Sequence, residues 1–153
     1  MSVQKFIYMP DKSTIQKAQK DKEEGKSPGT QAGEFVHDEI EKIRKGEHGA
    51  RSAKQAIAIG LSEARRAGVK LGVPKNGSAE LKKKAQRDNE KGQTHEPVSP
   101  TRSRASVKAL KKEPTNTVSS EALSKQAHAA AKKRSKADRS AAAKRAAKTR
   151  AKN

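Results

Sequence analysis

Along the first 72 residues, apolar positions recur at helical spacing between glycine stops at Gly25, Gly46 and Gly68, and this pattern predicts three helices. The first opens after Pro10-Asp11, with Asp11 at the N-cap, and runs to Glu24 with Ile15 and Ala18 as its apolar stripe. Ser27-Pro28-Gly29 reads as a turn, because Pro28 has no N–H to give to a helix. The second helix is expected from about Thr30 to Lys45, with Phe35, Val36, Ile40 and Ile43 on one face. Its acids, Glu34, Asp38, Glu39 and Glu41, precede Lys42, Arg44 and Lys45, an order that suits the helix dipole. In the third, Ser52 and Gln55 form a capping box, and Ala53, Ile57, Gly60, Leu61 and Ala64 follow at helical spacing. Ala56 and Gly60 are small enough to let a neighbouring helix come close, and Val69 and Leu71 can pack back on the bundle.

Beyond Gly72 this periodicity is lost. Pro74, Asn76-Gly77, Pro97, Pro100 and Pro114 interrupt the chain, and residues 73–120 read as a low-complexity linker that holds at most a short basic helix at Ala79–Asn89. Residues 121–153 form a tail of alanine, lysine, arginine and serine. Glu121–Arg134 and Lys136–Lys152 are rich in strong helix formers, but their cations repel at i, i+3 and i+4. Full helicity is therefore expected only on a neutralising anion. Residues 1–10 are left as an arm carrying the short patch Phe6-Ile7-Tyr8-Met9. The expected fold class is mostly α: a module of about three helices at residues 11–72, then a long, largely disordered, partly helical basic region.

Composition sharpens this division. Hydrophobic residues make up 31% of the chain and aromatics 2%, against roughly 45–50% apolar in ordinary globular chains. The large apolar set of the module is Ile15, Phe35, Val36, Ile40, Ile43, Ile57, Ile59, Leu61, Val69 and Leu71. That is little to set against the entropy of ordering about 60 residues, so the module is expected to be completed by self-association or by nucleic acid. Residues 1–72 carry 14 basic and 10 acidic side chains, residues 73–153 carry 22 and 7, and the chain as a whole is at +19. The excess lies in the C-terminal half. The absence of cysteine excludes disulfides and thiolate metal sites. No apolar run approaches the roughly 20 residues of a membrane span, and the N-terminal patch is too short for a secretory signal. A cytoplasmic, nucleoid location is expected.

A lysine- and arginine-rich tail points to a polyanion, because neutralised phosphates release counterions without regard to sequence. The residues expected to carry most of the affinity are Lys132, Lys133, Arg134, Lys136, Arg139, Lys144, Arg145, Lys148, Arg150 and Lys152. Arg51 and Lys54, flanking Ser52 at the start of the third helix, offer an anion site, and Arg65 and Arg66 at its end are further phosphate contacts or solvated charges. Ser99-Pro100-Thr101-Arg102 is similar to the Ser-Pro turns of linker-histone tails. A helix-turn-helix does not fit Ala56–Val69, since its apolar slot falls on Arg66. The tail lacks the large apolar residues of a membrane-bound helix.

No cofactor or metal is expected. His37, His48, His95 and His128 lack a second ligand at helical spacing, apart from carboxylates beside His37 that point to different sides of the helix, and no catalytic or phosphate-loop motif is found. The chain is thus read as a non-enzymatic, sequence-tolerant DNA-binding protein. RNA or ribosome binding is the alternative, although Phe6, Tyr8 and Phe35 are few aromatics for base stacking. A stress or scaffold protein that holds a protein partner through residues 30–71 is a third reading.

The stretch from Met9 to Leu71, with GEHGARSAKQAIAIGLSEARRAG at its centre, resembles a bacterial family of small basic proteins catalogued as a domain of unknown function, some of whose members are labelled DNA-binding. The tail from Ala122 is similar to that family's Ala/Arg-rich C-terminus and, in composition, to linker-histone-like tails. The resemblance implies a bacterial cytoplasmic protein with a helical N-terminal part.

Overall fold

The computed structural model describes residues 10–95 and 98–152; the N-terminal patch Phe6–Met9 lies outside them. Among the described residues the chain forms seven α-helices and one 3-10 turn. They are α1 (Lys12–Glu23), α2 (Pro28–Arg44), α3 (Ala53–Arg66), α4 (Ala79–Thr94), α5 (Pro100–Leu110), the 3-10 turn Asn116–Val118, α6 (Ser120–Lys132) and α7 (Lys136–Arg150). They fall into two compact units, Met1–Val118 and Ser119–Asn153.

The glycine stops act as expected. Gly25, Gly46 and Gly68 all have positive φ, and each closes its helix with the same pair of backbone bonds. At the end of α3, for example, Gly68 N–H donates to Arg65 O at 3.0 Å and Val69 N–H to Ala64 O at 3.0 Å. Ser52 caps α3, accepting from Gln55 N–H at 3.1 Å, while the Gln55 side chain takes the Arg51 N–H at 2.6 Å. The start of α2 differs from expectation. Pro28 is the first residue of the helix, where its missing N–H costs nothing, and Ser27 accepts from Thr30 N–H at 3.3 Å.

Packing in the first unit is set by small residues. Ala18, Ala32, Phe35, Ala64 and Val69 form the central apolar cluster, with Leu61, Ala67 and Leu71 against it. A β-carbon on Gly60 would lie 2.7 Å from the Val36 Cα, so α2 and α3 cross with their backbones nearly touching. Ile15 departs from the expected stripe. It is 38% exposed and lines an open cleft of about 500 Å³ with Phe35 and Val69.

The larger correction concerns the described residues from 73 to 152, most of which lie in helices and do not form a long disordered region. In the first unit, α4 packs on α3 with Ala85 buried and Asp88 accepting from Ser62 Oγ at 2.6 Å. Gly92 abuts the Arg65 carbonyl so closely that a β-carbon there would overlap it. The stretch after α5 lies over the loop between α2 and α3. Gly49 N–H donates to Leu110 O at 2.9 Å, Ala50 N–H to Pro114 O at 3.0 Å and Thr117 Oγ1 to Ala50 O at 2.8 Å. Leu110 and Val118 are buried there. Part of the burial expected from a partner chain is thus supplied by the chain itself.

Two residues within the expected linker are a helix start and a contact: Pro100 opens α5 and Gly92 seats α4. In the C-terminal unit, Ser119 and Ser135 cap α6 and α7, accepting from Ala122 N–H at 3.2 Å and Asp138 N–H at 3.1 Å. Glu121 and Asp138 stand in the first turns, and Lys132, Lys148 and Arg150 in the last. Caps, dipole order and alanine content outweigh the repulsion between like charges.

Substituting Gly60→Ala forces α2 and α3 apart, and overpacking of this kind typically costs about 1–3 kcal/mol. The urea midpoint should fall accordingly. An unchanged midpoint would show that the crossing is looser than described.

Candidate nucleic-acid interface

The C-terminal unit holds no buried residue in either helix. From Ala127 to Lys152 every side chain is exposed except the half-buried Ala142. Lys132, Lys133 and Arg134 cluster at the end of α6, where cations suit the negative end of the helix dipole. Lys136, Arg139, Lys144, Arg145, Lys148 and Arg150 lie along α7 and, at 3.6 residues per turn, are distributed around its whole circumference. Lys152 follows the last turn. The ion pair in this unit, Lys125 with Glu121 at 2.8 Å, involves none of these residues. All ten tail cations named from the sequence are therefore exposed. With no apolar face, α7 has no stripe to bury in a lipid surface.

The module's own candidates divide. Arg51 and Lys54 are exposed beside the capped start of α3. Arg65 and Arg66 are engaged within the module. Arg65 is 8% exposed and donates from Nη2 to Gly72 O at 3.2 Å, while Arg66 Nε donates to Asp88 Oδ1 at 2.9 Å. They fasten α3 to the segments that follow it. On α4, Lys83, Lys84 and Arg87 are exposed while Ala85, Asp88 and Gly92 are buried; the sequence gives this stretch as at most a short basic helix, Ala79–Asn89, within a linker, and the helix runs on to Thr94. The signal for this helix was Ser78, which caps it by accepting from Leu81 N–H at 3.2 Å.

The sequence reading also missed a buried group of charges between α2, α3 and the loop that joins them. Glu39, Lys42, His48 and Glu63 are each 6% exposed or less. Lys42 Nζ lies 2.8 Å from Asp38 Oδ2, and His48 Nε2 lies 3.3 Å from Glu39 Oε1. Neither oxygen of Glu63 has a hydrogen-bond partner among the described residues. Burial pushes the Glu63 carboxyl up to about 8, with the negative charges of Glu39 and Asp38 adding to the shift against Lys42 and His48. Burial disfavours the charged forms of Lys42 and His48, yet both pKa values are raised, since the neighbouring carboxylates outweigh it. The group thus sets two close cation–carboxylate contacts beside a carboxyl whose charged form burial disfavours. Among the described residues no set of side chains is arranged to hold a metal ion, and no helix is long and apolar enough to cross a membrane.

Residues 25–76 match the model of a family of unknown function (DUF6496). The match contains α2 and α3 with their joining loop, and therefore the buried charges; it includes neither α4, α5 nor the C-terminal helices. No curated protein and no solved structure matches the chain.

Because the folded module holds a proton on Glu63 up to about pH 8 and the unfolded chain releases it near 4.5, stability should decline as pH rises between those values. His48, raised above its ordinary 6.5, adds to the decline on the alkaline side. Glu63→Gln keeps the neutral shape. It should flatten this decline and, near pH 9, stabilise the protein by on the order of 2 kcal/mol. Urea midpoints measured across pH check this, and parallel curves for the two proteins would contradict it.

Proposed function

We propose that the protein is a non-enzymatic, sequence-tolerant DNA-binding protein, histone-like in character, which contacts the duplex backbone through α6 and α7. The observation that carries this reading is the C-terminal unit itself: eleven basic and two acidic side chains in residues 119–153, with no buried residue in either helix. Such a unit has no apolar content that explains its composition. It has what phosphate neutralisation requires, cations on exposed, helix-forming segments. Cations on all sides of α7 suit a backbone contact without a fixed register, and so without base readout. Arg51 and Lys54 add two exposed charges on the module, and Arg65 and Arg66 are left out of the contact.

The protein-partner reading loses ground on one observation. Ala32, Phe35, Ala56, Gly60 and Ala64, the centre of the surface it would use, are buried within the module.

Binding to a random-sequence duplex should weaken steeply with salt, with a log–log slope of about −5 to −9 if six to ten phosphates are neutralised. Replacing Lys144, Arg145, Lys148 and Arg150 together by glutamine should lower affinity at least tenfold and make the slope shallower by roughly one per cation removed. Unchanged affinity would sink this reading. Equal or stronger competition by duplex RNA would move the target from DNA to RNA.

A further inference from the structure

A second run of unbalanced charge lies in the first unit. Residues 98–112 contain five cations and no carboxylate. As α5 they are sorted onto two sides. Ser103 and Leu110 are buried and Ser106 and Val107 half-buried, while Arg104, Lys108, Lys111 and Lys112 are all exposed. The spacing of these four, i, i+4, i+7 and i+8, puts them along one side of the helix and its first residues beyond. None of them takes part in an ion pair among the described residues. At 1.5 Å per residue the row spans about 12 Å, which matches the rise of three to four nucleotides at about 3.4 Å each along one strand.

The row is held in place. The chain just beyond it is bonded to the loop between α2 and α3 through Gly49 N–H to Leu110 O at 2.9 Å and Ala50 N–H to Pro114 O at 3.0 Å. Arg44 Nη2 donates to Val118 O at 3.2 Å. A β-carbon on Gly49 would overlap the Glu113 carbonyl, so the two strands of chain touch directly. These bonds restrain the backbone that bears the cations before any ligand arrives, which lowers the cost of ordering on binding.

We propose that α5 is a second phosphate-binding face, carried on the module, and that the protein holds two DNA duplexes at once, one on α5 and one on the C-terminal helices. This rests on the reading of α6 and α7 as a DNA-binding unit and adds a function to it. Two cationic faces on separate units give one chain two binding events, and a second duplex binds the free face from solution with the affinity of that face alone. Phosphate backbone is the occupant that charge favours, since the face has four cations, no acid and no aromatic platform for bases.

The test uses the full chain and two random-sequence duplexes, one fixed to beads and one free and fluorescent. The wild-type protein should retain the free duplex on the beads. The variant Arg104→Gln/Lys108→Gln/Lys111→Gln/Lys112→Gln should bind a single duplex within about threefold of wild type, and retain the second at least tenfold less. Circular dichroism shows whether its helices are intact. Should they be lost, the double variant Lys108→Gln/Lys111→Gln is expected to show an intermediate loss of retention with helices preserved. Retention by a folded variant equal to wild type would overturn the inference, as would a wild type that binds the bead duplex and captures no second one. In both cases the reading of α6 and α7 stands. A wild type that fails to bind even the first duplex would overturn both.

Discussion

At Gly60 the backbone of α3 meets the backbone of α2 at Val36 so closely that no β-carbon fits between them. Much of the first unit follows from this crossing. It lets a core made largely of alanine close around Phe35. It also brings the polar half of the α2–α3 interface together, so that Lys42, Glu39, His48 and Glu63 lose their water, Lys42 lying against Asp38 and His48 against Glu39. Such burial is costly unless charges pair, and here Lys42 and His48 each have a carboxylate neighbour while burial favours the neutral form of Glu63. The apolar and polar halves of the interface thus make opposite demands, and the small residues serve both by allowing short distances.

A chain with so little apolar surface completes its module by other means. The loop after α2 is covered by the stretch after α5 through main-chain hydrogen bonds, and α4 is clipped to α3 by Asp88, which takes one bond from Ser62 and one from Arg66. The contributions of Leu110, Val118 and Ala85 to the core are small in number but fall where the three-helix bundle alone would be open. Residues outside the family match therefore finish a fold whose central crossing lies inside it.

Much of that crossing was legible in the sequence. The glycine stops, the Ser52–Gln55 cap, the face bearing Phe35 and the role of Gly60 are local signals, set by backbone conformation and helical period. What escaped depended on partners far along the chain or on signs read in one sense only. Pro28 and Pro100 have the signature of breakers, although a proline is equally at home in the first turn of a helix. Glu39 and Lys42 show in the sequence only an order that suits the helix dipole, because Glu63, which shares their burial, lies on the next helix. Arg66 looked free because Asp88 is 22 residues away. The C-terminal helices hold against the repulsion between their cations with the help of the serine caps at Ser119 and Ser135, which only their register in the folded chain reveals. Of the candidate site, the exposure of the ten tail cations was readable from composition alone, whereas the inward turn of Arg65 and Arg66 was not.

The charge of this protein divides into cations that build and cations that reach outward. Amide hydrogen exchange on the full chain, with and without duplex DNA, separates the two most directly. The amides of Gly49 and Ala50, and those along α4 and the C-terminal half of α5, should be protected together with α2 and α3 in the free protein. Those of α6 and α7, bare of tertiary contacts within their unit, should exchange much faster and slow on addition of DNA. Rapid exchange throughout residues 79–118 beside a protected α2 and α3, or a C-terminal unit whose exchange is indifferent to DNA, would contradict it.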